Sequence, residues 1–97
     1  HDHEDFDSFI IDFEGDQLEE AFLLKLSTAI DQHDILRVKG FLSIENKPMR
    51  LAIQAVGTRI ETYFDKYWPQ SSERYSKLVV IGLKGLNKKS VMDTLAA

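Results

Sequence analysis

The sequence predicts an α+β fold: a mostly antiparallel four-stranded sheet with helices packed on one face, in the order strand, helix, three strands, helix. Three observations carry that expectation. Apolar residues recur at helical spacing near each end, from Leu18 to Ile30 and from Val91 to Leu95. Between those stretches the period changes to strict alternation, the pattern of half-buried strands. Turn-forming clusters then separate the segments, as in Glu14-Gly15-Asp16 and Glu45-Asn46-Lys47-Pro48.

Taken in order, Ser8-Phe9-Ile10-Ile11-Asp12-Phe13 is a short β-prone run. Asp16 followed by Glu19 matches a capping box, so a helix is expected to begin there. Leu18, Phe22, Leu26 and Ala29, with Ile30 beside them, form its apolar stripe. Leu24 stands off that stripe, because two residues along a helix rotate by about 200°. His33, beside Asp34, reads as a helix-end surface residue rather than a catalytic base.

Two alternating strands follow. In the first, Leu36, Val38, Leu42 and Ile44 share one face and Arg37, Lys39 and Ser43 the other. In the second, Met49, Leu51, Ile53 and Ala55 oppose Arg50, Ala52 and Gln54, and the pair reads as an antiparallel hairpin. Gly57 marks a bulge or bend, and Tyr63-Phe64-Asp65-Lys66-Tyr67-Trp68-Pro69 is an aromatic-rich segment, either a binding platform or, as is commoner in so small a domain, the closure of one end of the core. Residues 77–83 read as a strand buried on both faces, and Asn87 caps a last helix that buries Val91, Met92 and Leu95.

Composition narrows the chemistry. The 97 residues suffice for one domain with a modest core, and 43% hydrophobic content beside 29% charged is ordinary for a globular chain. A net charge of −4, with carboxylates concentrated early, argues against nucleic acid or an anionic membrane as partner. There is no cysteine, hence no disulfide, thiolate ligand or thiol nucleophile, as suits a cytoplasmic protein. The chain opens on His1 within a charged run, which reads as a piece of something longer.

The motifs that suggest catalysis fail on spacing. Lys89-Ser90 resembles the end of a P-loop, but the two glycines such a loop needs are replaced by Lys88 and Leu83. Asp12, Glu14 and Asp16 do not complete a calcium loop. No nucleophile and base can be paired, so no catalytic residue is assigned to the chain, which reads as a binding or regulatory module. Arg50 and Gln54 share a strand face, with Arg37, Lys39 and Arg59 near them. That face is either a solvated surface or a site for a small-molecule regulator.

The stretches Val38-Lys39-Gly40-Phe41-Leu42, Lys47-Pro48-Met49-Arg50-Leu51 and Ile53-Gln54-Ala55-Val56-Gly57-Thr58-Arg59 resemble one known family in combination. Trp68-Pro69 and Leu78-Val79-Val80-Ile81-Gly82 extend the likeness over nearly the whole chain. It is to the C-terminal domain of the CobW family of GTP-dependent metallochaperones, closest to the CobW proteins associated with cobalamin biosynthesis. The resemblance implies that GTP with magnesium, and cobalt or zinc, belong to a full-length protein whose N-terminal GTPase domain is this module's partner. A metal-recipient protein is a second partner. The fragment itself carries no cofactor and is not an enzyme on this reading.

A further expectation is that excision from such a partner leaves stray apolar surface, with Leu24 and Trp68 as candidates beside Arg50, Gln54 and Arg59. Residues 1–7 read as an acidic, histidine-bearing linker ahead of a domain at 8–97. Behind a GTPase domain, His1, Asp2, His3, Glu4 and Asp5 would make a low-affinity collector of divalent cations.

Overall fold

Strand and helix alternate in the order β1 (Phe6–Glu14), α1 (Glu19–Gln32), β2 (Ile35–Leu42), β3 (Met49–Val56), β4 (Arg59–Tyr67), β5 (Tyr75–Leu83) and α2 (Lys88–Ala96). This is a computed structural model and describes residues 5–71 and 73–97. The strands form one antiparallel sheet in the order β1-β5-β2-β3-β4. Both helices pack on one face, where Phe22, Leu26, Ala29, Ile30, Val91 and Leu95 join Ile11, Val38, Leu51, Leu78 and Val80 in a single buried cluster. None of the described helices is long and apolar enough to cross a membrane.

The α+β class and the helix layer agree with the sequence, but the sheet has five strands rather than four. The extra strand is β4, whose alternation is obscured by a register shift opposite Arg50 and Leu51. Of the two expectations at Gly57, the chain bends there and does not bulge. Val56 pairs with Arg59, so Gly57 and Thr58 form a two-residue hairpin loop. Gly57 sits at φ +58°, the left-handed region a first turn residue of this kind requires.

Four local expectations are also corrected. Leu18 is the N-cap of α1, with no side-chain cap, and Asp16 does not form a capping box. The reason is that Gln17 is held extended: its N–H donates to Ser43 O at 2.7 Å, and its carbonyl accepts from Glu45 N at 2.9 Å. The backbone therefore cannot turn into the helix until Leu18, which is left exposed. At the start of β2 a register shift between Ile35 and Arg37 puts Ile35 in the core and leaves Leu36 at the surface.

Ser43, expected to face out, is fully buried. It lies past the end of β2, where its N–H donates to Ser76 Oγ at 2.9 Å and its hydroxyl donates to Asp16. Finally, β5 is buried on one face only. It runs between β1 and β2, yet both helices cover the same side, so Leu78 and Val80 are enclosed while Val79 and Leu83 stay exposed.

Other elements form as their residues require. Asn87 caps α2 by accepting from Ser90 N at 3.0 Å. His33 ends α1 and joins it to α2 through a 2.8 Å hydrogen bond between Nε2 and Thr94 Oγ1. Phe13 and Phe22 meet edge to face at 5.5 Å, fixing α1 against β1.

Candidate functional site

With both helices on one side, no element among the described residues covers the other side of the sheet, which is bare to that extent. Residues paired directly across antiparallel strands share a face, so the register defines its surface. One row runs Ile10, Val79, Lys39, Gln54, Glu61 from β1 to β4. The next runs Ser8, Ile81, Arg37, Val56, Arg59. A third runs Asp12, Lys77, Phe41, Ala52, Tyr63. Ile10, Val56, Tyr63 and Val79 are all exposed. Apolar side chains thus lie on both sides of β2, and Arg37, Lys39 and Lys77 project among them.

Two shallow grooves cross this face. One, of about 250 Å³, is walled by Arg37, Lys39, Gln54, Val56, Val79 and Ile81. The other, of about 200 Å³, shares Lys39 and Gln54 and extends to Phe41, Arg50, Tyr63 and Asp65.

Arg50 is committed within the fold. Its Nε and Nη2 donate to the Asp65 carboxylate at 3.0 Å each, and its guanidinium lies 4.2 Å from the centre of the Phe41 ring. The hydrogen bonds from Arg50 hold the Asp65 carboxyl below its usual 3.8, helped by the arginine's charge and opposed by burial. A lowered folded-state value means that this pair stabilises the fold above the unfolded-state value. The contribution is lost as pH falls through the lower folded value. Acid titration of unfolding free energy should therefore fall more gently below pH 3.8 in Asp65→Asn than in the wild type. Parallel curves would show that the pair adds nothing.

The remaining expected residues are placed as follows. Gln54 stands between Lys39 and Glu61 on the bare face, and Arg59 lies at its β4 edge. Trp68 closes a corner of that face, edge to face with Phe41 at 6.1 Å and Tyr75 at 6.0 Å. The Arg74 guanidinium lies 5.6 Å from its ring centre. The indole Nε1 is buried without a hydrogen-bond partner. Leu24, 71% exposed, sits on the outward side of α1 and belongs to the opposite surface. The structure therefore brings Arg50, Gln54 and Trp68 together and leaves Leu24 apart.

His1, Asp2, His3 and Glu4 lie outside the described residues, while Asp5 accepts from Lys84 N at 3.1 Å through its carbonyl. Among the described residues no three His, Asp or Glu side chains come together as a metal site.

Sequence reasoning missed Lys77, Val79 and Ile81, because a continuous apolar run reads as fully buried. The lone Lys77, in phase with Val79 and Ile81, was the available signal. A hollow of about 790 Å³, bordered by Glu14, Asp16, Glu73 and Arg74, offers no free cation among the described residues. Arg74 there donates to Ser43 Oγ at 2.9 Å and to Ile44 O at 2.8 Å. At the P-loop look-alike, Gly85 N donates to Asp7 at 2.8 Å, so that amide is committed as well.

Comparison with known proteins places this architecture. The family model described as the cobalamin synthesis protein cobW C-terminal domain matches residues 6–97. A protein of a Sinorhizobium species named zinc chaperone CobW is 43% identical over 97 residues, which are all of this chain and 27% of that protein. Its namesake in Pseudomonas aeruginosa is 49% identical over 67 residues, covering 68% of this chain and 18% of that protein. The chain thus spans about a quarter of the length of the first of these curated relatives. Among solved structures, the Zn(II)-bound YjiA GTPase from E. coli shares the fold with a TM-score of 0.81 at 22% identity, over 95% of this chain and 29% of that one. A match over 92 consecutive positions, 6 to 97, together with a relative similar along the entire chain, leaves one assignment. The chain belongs to the CobW C-terminal domain family.

Proposed function

We propose that this chain is the C-terminal module of a cytoplasmic, GTP-dependent zinc chaperone, and that it serves as an interaction domain. The observation that carries this reading is the 43% identity, over every residue, to the corresponding quarter of a protein named zinc chaperone CobW. Both curated relatives carry zinc in their names, which favours zinc over cobalt as the cargo. The residues described here supply neither a phosphate-binding loop nor a converging set of zinc ligands. Nucleotide and metal chemistry accordingly fall to the remainder of the full-length protein. What this module offers is surface: a rigid sheet with one face enclosed by helices and the other open. A small-molecule site on the Arg50 and Gln54 face finds less support, because Asp65 and Phe41 already engage Arg50.

The test compares the full-length protein with a form truncated before Phe6. GTP hydrolysis and zinc handover to a zinc-free acceptor protein are measured for both. Truncation should preserve hydrolysis and slow the handover. A full-length protein that neither hydrolyses GTP nor binds zinc would overturn the reading, as would unaltered handover by the truncated form.

A further inference from the structure

The bare face combines two properties that solvent alone does not explain. Its apolar side chains lie on three strands, Ile10 on β1, Val79 and Ile81 on β5 and Val56 on β3. Its three central cations, Arg37, Lys39 and Lys77, lie on the adjacent strands β2 and β5. Among the described residues none of the three forms an ion pair, in a chain whose net charge is −4. Asp12 lies directly across from Lys77, and Glu61 is separated from Lys39 by Gln54; neither carboxylate forms an ion pair with these cations among the described residues. By contrast Arg50 and Arg74, at one end of the face, are neutralised by Asp65 and Asp16 at 3.0 and 3.6 Å. The uncompensated positive charge is therefore concentrated among the apolar side chains of this face.

We propose that this face seats an acidic patch with an apolar centre, on the GTPase region that precedes the module in the full-length protein. This rests on the function proposed above and adds the surface and its chemistry. Two observations favour an occupant in the same chain. The module accounts for only 27% of the matched zinc chaperone, so a covalently attached region large enough to cover the face stands ahead of it in that relative. The face is also mixed rather than uniformly apolar, the character of contacts between domains of one chain. A tether holds its partner at an effective concentration on the order of millimolar, so a surface of modest intrinsic affinity is sufficient. Complementary charge then fixes which patch docks, because burying Lys39 or Lys77 without a carboxylate partner would be costly.

Lysine acetylation of the full-length protein, read by mass spectrometry, tests the proposal. Lys39 and Lys88 are both exposed in this module, so Lys88 on α2 is an internal reference. If the face is occupied nine-tenths of the time, Lys39 should react about tenfold more slowly than Lys88 at low salt. The ratio should approach one at about 0.5 M salt, where the screening length falls to roughly 4 Å. Lys77→Glu should likewise expose Lys39, with circular dichroism confirming that the variant is folded. Equal rates at low salt would overturn the proposal while leaving GTP hydrolysis and zinc handover, and thus the function proposed above, intact. Protection insensitive to both salt and Lys77→Glu would overturn the charge selection. Protection that appears only when the zinc acceptor is added would assign the face to that acceptor, and would also overturn it.

Discussion

Gly40→Ala is expected to destabilise the fold by about 3 kcal/mol or more, because the new methyl group has nowhere to go. A Cβ built at Gly40 would fall on the backbone of β5, at Lys77 O, with Leu78 Cα at 2.9 Å. Gly40 pairs with Leu78 within the β2 and β5 ladder, and further strands flank the two on both sides. Backbone atoms at such a position cannot swing aside as a side chain can. Two central strands would have to part, with loss of ladder hydrogen bonds and core contacts. For a domain of this size, such a loss corresponds to a drop in Tm on the order of 12 °C or more.

Gly15→Ala is the control. Gly15 also has an unusual backbone, at φ +81°, but nothing lies within 4 Å of a Cβ there. Only the strain of a left-handed alanine remains, about 1 to 2 kcal/mol. Similar melting losses for the two variants would show that close approach of the strands is not what Gly40 provides. The position also matters for the bare face, since Gly40 keeps Lys39 and Phe41 level with their neighbours on β5.

Leu26→Ala should cost about 2 to 5 kcal/mol, whereas Leu24→Ser should change stability by no more than about 0.5 kcal/mol. The two leucines are two positions apart on α1, yet Leu26 is 1% exposed and Leu24 is 71% exposed. Truncating Leu26 opens a cavity between the helix and the sheet, where Phe22, Ile30 and the core strands have no slack to fill it. Chemical denaturation midpoints, at an unchanged dependence on denaturant, provide the measurement. A large loss for Leu24→Ser would mean that the outward side of α1 is packed after all. In the full-length protein Leu24→Ser should leave the acetylation of Lys39 unaltered, because the two residues lie on opposite surfaces of the module.

Much of this fold is legible locally because its elements are set by period and punctuation. The α1 stripe of Phe22, Leu26, Ala29 and Ile30, the β2 and β3 hairpin and the Asn87 cap all follow from residues near one another in sequence. The misreadings share another cause. Asp16 has the sequence of a cap, but a parallel bridge between Gln17 and Ile44 holds the backbone extended past it. Ser43 has the phase of a surface residue, but Ser76, Asp16 and Arg74 converge on it from distant segments. The Arg59–Tyr67 strand alternates poorly because its register shifts against β3.

The candidate site shows the same division. Arg37, Lys39, Arg50 and Gln54 could be placed on one strand face from alternation alone, a period-2 property of any strand. The contributions of Lys77, Val79 and Ile81 could not, because a strand's apolar run does not reveal whether one layer of helices or two will cover it. By itself the sequence determined the α+β class, the helix stripe and the absence of a nucleotide loop, since each depends on side chains at fixed spacing, and its motifs carried the resemblance to the family. Only the tertiary structure decided that β5 is buried on one face alone, that Asp65 neutralises Arg50 and that Lys77 joins Arg37 and Lys39 on the open face. Those facts depend on which strands become neighbours, and strand pairing is settled by contacts between residues far apart in the chain.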